Sequence, residues 1–392
     1  MTLALLPTDE AGVQDAVASA AAARETLWVQ GNATKADMLR PVDAARVLST
    51  AGLSGITLYS PSELIISARA GTPIGEVEAA LAEKGQQLTA EPPDLSRIFG
   101  ATGRPQTIGG ITATNLSGPR RVAWGAMRDH VMGIRAVSGR GEIIHSGGRV
   151  LKNVTGLDLC KLFTGSHGTL GVMTEVTLKV LPAAATSATL VLPGLDAVAG
   201  VAALSAALGS PYGVSGAAWL PSGAGFDGPV ALARIEDFAA SVAYRTEKLR
   251  GELGIPHAEI VDETTSRAIW TAVRDVAPLR IGEAVWRVSV KPSAGPGVLA
   301  SGADAGISGF LDWGGGLVWL SGPASADAHR QVEAAARAAG GTWMLLRAPE
   351  ALRVAVDVVP PEVPALAAIA RRMKASLDPS GVLNPGRIYA GL

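Results

Sequence analysis

The 392-residue chain contains one cysteine, Cys160, and five histidines. A single thiol forms no intrachain disulfide, and it excludes Cys-rich zinc and iron–sulfur sites. An excess of charge of one sign is also lacking: 34 Lys and Arg face 35 Asp and Glu, a formal net charge of −1. That leaves no global basic field for nucleic acid or for an anionic membrane surface. No stretch of 18 uncharged apolar residues reads as a membrane span, so direct membrane insertion is not expected. The Ala-rich start has no Lys or Arg before Arg24, and Asp9, Glu10 and Asp15 interrupt it. It therefore lacks both the basic head and the apolar core of a secretory signal. The expected location is the cytoplasm, with attachment to the inner face of a membrane left to a partner. Charged residues are only 18% of the chain against 48% hydrophobic, which excludes a disordered chain.

Glycine is what the chain has in quantity: 47 of 392 residues, about 12% against a usual ~7%. A chain poor in reactive side chains and rich in glycine is suited to bringing backbone close to a ligand. The length predicts two or three domains. A helix capped by Thr8 is expected to run to Ala23, followed by a strand over Thr26–Gln30 and the small-residue loop Gly31-Asn32-Ala33-Thr34-Lys35. A strand over Ser62–Ala70 and a helix over Ile74–Lys84 come next, then a long Gly/Pro/Ser-rich loop region from Glu91 to Gly125. A hairpin pairs Val131–Val137 with Glu142–Ser146, Leu151–Leu162 follows, and a strand spans Val172–Leu181. Beyond Pro182 short strands (Ala217–Leu220, Val285–Val290, Gly316–Leu320, Thr342–Leu346) alternate with helices (Ile235–Leu253, Ala326–Ala339), the texture of an α+β domain. Six of the eight Trp lie in this part and are expected in its core. A last helix over Glu362–Leu377 carries an apolar stripe of Leu366, Ile369, Ala370, Met373 and Leu377.

Phosphate esters are held by inward-pointing N–H groups with no bulky Cβ nearby, and Gly-rich turns supply both. Three clusters qualify: Gly31–Lys35, Gly109-Gly110 with Ser117-Gly118, and Gly165–Gly171. None opens a helix as Gly-x-Gly-x-x-Gly and none ends in Gly-Lys-Ser/Thr. Each alone reads as an ordinary turn; their co-occurrence before residue 182 is what points to a nucleotide-type cofactor.

Several stretches then carry a family pattern: "EPPD" (Glu91–Asp94), "TIGGITATNLSGPRR" (Thr107–Arg121), "RDHVMGIRAVSGRGEIIHSGG" (Arg128–Gly148), "KNVTGLDLCKLFTGSHGTLGVMTEVTLKVLP" (Lys152–Pro182) and "DPSGVLNPGRIY" (Asp378–Tyr389). Residues 8–182 resemble the PCMH-type FAD-binding domain of vanillyl-alcohol-oxidase-like flavoproteins. "VWRVSV" (Val285–Val290) and "DWGGGLVWL" (Asp312–Leu320) extend the likeness to the FAD-binding subunits of bacterial glycolate oxidases. The resemblance implies an α+β architecture. A PCMH-type FAD-binding domain of two α/β subdomains would span 1–182, a smaller α+β cap domain 183–350, and a C-terminal segment returning to the FAD domain 351–392. It implies FAD as cofactor, with Gly31, Asn32, Ala33, Thr34 and Lys35 as the first pyrophosphate loop. Thr107, Gly109, Gly110, Ser117 and Gly118 would form the second. Gly165, Thr169, Gly171 and Val172 would hold the adenosine side, and Asn384 and Arg387 would come back near the flavin ring. The first loop departs from the usual Gly-Gly-Gly-Ser-Lys; Asn32 is the residue expected to take a positive φ there, since Ala33 does so only at a cost. His167 reads as a tolerated loop residue. With no histidine in the first loop, bound FAD is expected to be non-covalent.

The implied activity is oxidation of glycolate to glyoxylate within a complex. Its partners would be a second FAD-containing catalytic subunit and an iron–sulfur subunit. Oxidising a 2-hydroxy acid needs a base and a cation for the carboxylate. No catalytic base is identifiable. Arg274, Arg280, Arg287 and Arg347 are the cationic candidates, and no metal site is expected, since His257 and His329 stand far apart. Two alternatives stay open: a non-catalytic assembly subunit with a weakened FAD site, and a stand-alone FAD-dependent oxidase of another 2-hydroxy acid.

Overall fold

The computed structural model describes residues 4–148 and 157–392; the start of the "KNVTGLDL" stretch lies outside them. The chain opens with a small parallel sheet, in which Arg46–Ser49 is flanked by Ala4–Leu5 and Leu27–Gln30. The helix Glu10–Ala23 sits against it through Val13, Val17 and Ala20. Its cap is Asp9 rather than the expected Thr8: the carboxylate accepts from Gly12 N–H at 2.8 Å, a charge-assisted bond at the positive end of the helix.

A five-stranded antiparallel sheet follows, in the order Ile56–Ser60, Ile65–Arg69, Val172–Lys179, Val131–Val137, Ile143–Gly147. The helix Ile74–Ala82 buries Val77 and Leu81 in the same core as Ile66, Ala68 and Val176. Residues 62–64, expected to begin the strand, turn instead, with Leu64 in the left-handed region.

Gln86–Gln87 pairs with Leu181–Pro182, and the eight strands beyond Pro182 form one antiparallel sheet that contains an internal repeat. Thr186–Pro193, helix Ala197–Gly209, Val214–Leu220, Val230–Asp237, helix Ala239–Leu253 and Glu259–Val261 make one βαββαβ unit. Ala284–Ser289, helix Gly295–Ser301, Ser308–Asp312, Leu317–Gly322, helix Ala326–Ala338 and Thr342–Arg347 make the second. In each unit the strand order is fourth, first, third, second, and the two second strands meet where Trp219 pairs with Leu311. The helix expected from Ile235 starts at Ala239, because the sequence to Asp237 is a strand. All six Trp of this part are buried, as expected.

Two features join the parts. Glu91, from the long loop, accepts both guanidinium nitrogens of Arg234 at 3.0 Å, and Arg120 bridges Glu91 and Glu236. At the other end, Leu27 N–H donates to the Val382 carbonyl at 2.7 Å and Asn384 N–H to the Leu27 carbonyl at 3.0 Å, so the last segment lies along the open edge of the parallel sheet. The helix before it, Pro364–Leu377, does not pack as its stripe suggests. Leu366 and Ile369 are exposed, and the one fully buried residue of the helix is Lys374. Its ammonium donates to Asp378 and to the carbonyls of Thr169 and Leu383, and those three bonds turn the apolar stripe outward.

Candidate functional site

Strand Leu27–Gln30 feeds directly into the loop 31–35, which forms one wall of a cleft of about 770 Å³, including space open to solvent. None of the backbone N–H groups of residues 31–35 donates to a protein acceptor among the described residues. Unpaired N–H groups in succession are what an anionic oxygen cluster satisfies. Gly31 is required by close approach: a Cβ there would stand 2.4 Å from Thr107 Oγ1. The positive φ expected of Asn32 falls on Ala33 instead, at +54°. Asn32 is held otherwise, its amide donating to the Pro105 carbonyl at 2.9 Å. A left-handed Ala costs about 1–2 kcal/mol, and Gly regains that less its own entropy. Ala33→Gly is therefore expected to raise unfolding stability by about 0.5–1 kcal/mol, read by chemical denaturation; a loss of stability would show that the strain is absent.

Lys35 points its ammonium at Gln106 Oε1, 2.7 Å away. Burial pulls its pKa down to about 8, with Asp94 opposing. A bound pyrophosphate would restore the higher value, so binding takes up a proton above pH 8. FAD affinity is expected to be flat below about pH 8 and to fall by up to tenfold per pH unit above it, as linkage requires. Titration of apoprotein with FAD from pH 7 to pH 10 checks this; in Lys35→Met the slope should vanish.

The opposite wall is the helix Ile108–Thr114. Thr107 caps it, its Oγ1 accepting from Gly110 N–H at 3.2 Å. Gly109 and Gly110 differ in role. Gly109 is packed onto Ala70, to whose carbonyl its N–H donates at 2.8 Å, whereas Gly110 faces the cleft with little beside it but Thr107. Asn384, at φ +43°, accepts from Val29 N–H at 2.7 Å and donates to the carbonyls of Val29 and His167. Arg387 donates to the carbonyls of Lys35, Ala36 and Arg40 and so clamps the far end of the first loop. Both line the cleft and both act by fixing its walls. The His167 pKa is pushed down to about 3 by burial and by Arg387 and Lys35, so its ring is neutral at ordinary pH.

Gly171 also lines the cleft, while Ser117, Gly118, Gly165, Thr169 and Val172 do not. Ser117 accepts from Met127 N–H, and Gly118 lies tight against the Glu91 carbonyl. Gly165 N–H donates to Thr112, Thr169 hydroxyl to Ser166, and Val172 is core. Sequence reasoning missed Gln30, whose Oε1 is buried at this wall without a partner. The position directly before Gly31, at the end of the strand, was the available signal. Of the cationic candidates, Arg274 pairs with Asp275 and Arg347 donates to the Gly282 carbonyl; Arg280 is exposed. Among the described residues no three His, Cys, Asp or Glu side chains converge as a metal site, and no helix is long and apolar enough to cross a membrane.

The run of free N–H groups, the Gly31 approach and the orphaned Gln30 oxygen fit a dinucleotide with a pyrophosphate and hydroxyl or amine donors. The family model "FAD binding domain" matches residues 1–147. Glycolate oxidase subunit GlcE of Escherichia coli (strain K12) is 35% identical over 370 residues, covering 93% of each chain. D-lactate dehydrogenase of Anaerostipes hadrus is 35% identical over 38% of this chain and 29% of its own length. Among solved structures, 4-ethylphenol oxidase from Gulosibacter chungangensis superposes with a TM-score of 0.71 at 14% identity, over 99% of this chain and 89% of that one. p-Cresol methylhydroxylase gives the same TM-score and identity over 99% and 88%.

Proposed function

Since this chain belongs to the family of the glycolate oxidase subunit GlcE, we propose that it is an FAD-binding subunit of a complex that oxidises glycolate or a closely related 2-hydroxy acid. The observation that carries the reading is the loop 31–35, with its N–H groups unspent and Lys35 at its end. That loop, Thr107 and Gly110 would hold the pyrophosphate and the ring-side portion of FAD, while Asn384 and Arg387 keep the walls apart. Bound FAD supplies the acceptor for the hydride that leaves the hydroxyl-bearing carbon. The chain's own part is to bind, to orient and to exclude water. Electrons would pass to a second FAD-containing subunit and an iron–sulfur subunit, since one cysteine cannot hold a cluster here. The cleft would hold FAD non-covalently, because loop 31–35 offers no His, Cys or Tyr.

The purified chain should show flavin absorbance, and acid precipitation should release all of it into the supernatant. Flavin left in the pellet would overturn non-covalent binding, and a colourless protein that takes up no added FAD would overturn the reading itself. The strained Ala33 favours one second reading, an assembly subunit with weakened FAD affinity. Bleaching by glycolate only when partner subunits are present supports the first reading; a complex fully active with this chain's cleft blocked supports the second.

A further inference from the structure

The segment Pro105-Gln106-Thr107 runs beside the loop 31–35 and meets it at three successive residues. The Pro105 carbonyl accepts from the Asn32 amide, Gln106 Oε1 accepts from the Lys35 ammonium at 2.7 Å, and Thr107 Oγ1 fills the place that a Cβ on Gly31 would need. Lys35 lines the cleft; Gln106 is buried behind it and does not. The Gln106 amide can sit only one way round. Its Nε2 donates to the Pro93 carbonyl at 3.1 Å, a pure acceptor, and its Oε1 faces the ammonium, a pure donor. Its backbone is fixed as well, since its carbonyl accepts from Ile74 N–H at 2.9 Å. The Pro93 side is held in turn: Asp94 N–H donates to Asp275, and Arg97 donates to the carbonyls of Val276, Ala277 and Leu279.

Among the described residues, Gln106 is the one hydrogen-bond partner of the Lys35 ammonium, which forms no ion pair. Three titratable groups lie around it. Asp94 acts on it from the segment that carries Pro93, His167 is neutral, and Arg387 binds the carbonyl of Lys35 itself. An ammonium with N–H groups to spare and its charge uncancelled suits an anion in the cleft. The chemistry of its one partner decides this. With no acceptor behind it, a buried ammonium gives up its proton more readily. A carboxylate in that place would keep the proton on but would pair with the charge, and a ligand would lose it. An amide holds the ammonium and leaves the charge free.

We propose that Gln106 is a positioning residue, which holds the Lys35 ammonium at the cleft without cancelling its charge, so that it meets the pyrophosphate of a dinucleotide. That the dinucleotide is FAD rests on the function proposed above; the hold on the ammonium rests on the geometry. Two measurements on the full chain test it, with circular dichroism and thermal unfolding recorded for each variant. The first is titration of apoprotein with FAD from pH 6 to pH 10. The charged amine is the form that binds, so affinity falls where Lys35 loses its proton. Gln106→Met should move that fall down by about one pH unit, and Gln106→Glu should move it up by about one unit or more while lowering affinity at neutral pH about tenfold. In the Lys35→Met background, Gln106→Met should cost no further affinity. The second measurement needs no cofactor. The pH midpoint of Lys35 acetylation by acetic anhydride in apoprotein, read by peptide mass spectrometry, should shift in the same two directions. Variants that lose stability but keep both midpoints where wild type has them overturn the proposal. So does a further loss of affinity in the Lys35→Met background, which would place the effect at the Pro93 contact. Should Gln106→Glu fail to fold, Gln106→Met and the double variant decide. Acetylation midpoints that shift as expected in a chain that takes up no FAD count against the FAD reading alone.

Discussion

Replacing Gly110 by valine is expected to leave the chain folded and to strip it of flavin. Gly110 lies inside the helix Ile108–Thr114, and a Cβ built on it meets only Thr107 Oγ1, at 3.1 Å; the rest of its surroundings is the cleft. Valine is no worse than glycine in a helix interior, so the apoprotein should lose less than about 1 kcal/mol. Its two methyl groups would occupy the space that a ligand's backbone-hugging portion needs. FAD affinity should fall by about a hundredfold or more, some 2.7 kcal/mol. Gly109→Val is the contrasting case. There a Cβ would come within 2.7 Å of Ala70 Cβ and 2.8 Å of the Ala70 carbonyl, and backbone cannot move aside as a side chain can. That variant should lose stability by at least about 1–3 kcal/mol through overpacking. Visible absorbance per mole of protein and circular dichroism separate the two outcomes. Wild-type flavin content in Gly110→Val would show that this helix does not wall the cofactor.

The contrast between two adjacent glycines also marks where the sequence stops being readable. Both carry the same letter in "TIGGI", and nothing local tells which one packs on Ala70, just past the strand Ile65–Arg69, and which one has open space beside it. The α+β class and the run of Gly loops were legible because turns and helix faces are local properties. The loop 31–35 was legible as a small-residue turn at the end of a strand, but the placement of strain within it was not. Asn32 is the better αL former, yet the Pro105 carbonyl claims its side chain and the turn falls on Ala33. The doubled βαββαβ sheet was hidden for another reason. Its inner strands, such as Val230–Asp237, are buried on both faces and read as apolar runs without period two. The C-terminal helix misleads in the opposite sense. Its stripe is real, but three hydrogen bonds of one ammonium outweigh it, and one of the partners, the Thr169 carbonyl, lies 205 residues away. Asn384 is similar: one side chain ties strand Leu27–Gln30 to the loop at His167 over 355 and 217 residues, which no window along the chain can reveal.

Glu91 carries the second large effect, because it is the acid that two arginines from different parts of the molecule share. Its carboxylate is buried, receives both nitrogens of Arg234 at 3.0 Å and stands 3.5 Å from Arg120. Burial alone would raise its pKa, yet the Arg234 and Arg120 charges hold it below the ordinary carboxylate range. Glu236 is pulled down to about 2 by the same two arginines against its own burial. The four charges balance, and removing one acid leaves a surplus cation among buried groups. Glu91→Ala should therefore cost about 3–5 kcal/mol of unfolding free energy, since the penalty is that of an uncompensated buried charge and not of the lost contact alone. The cost should fall on the boundary between the Gly-rich part and the eight-stranded sheet, so proteolysis near residue 183 should accelerate before either sheet melts. Arg234→Met in the Glu91→Ala background tests the cause. If the surplus charge is the penalty, the double variant should recover part of the lost stability, giving a coupling energy of about 1–3 kcal/mol in the double-mutant cycle. Additive losses would mean that each side chain contributes by packing. Carboxylates with depressed folded pKa values stabilise the fold above their unfolded pKa and lose that contribution as pH falls through the folded value. Wild type should accordingly keep its contact between the two parts above the ordinary carboxylate range, about pH 4, and lose it progressively below, as Glu91 and Glu236 take up protons. In Glu91→Ala that acid transition should be smaller and confined to the Glu236 step.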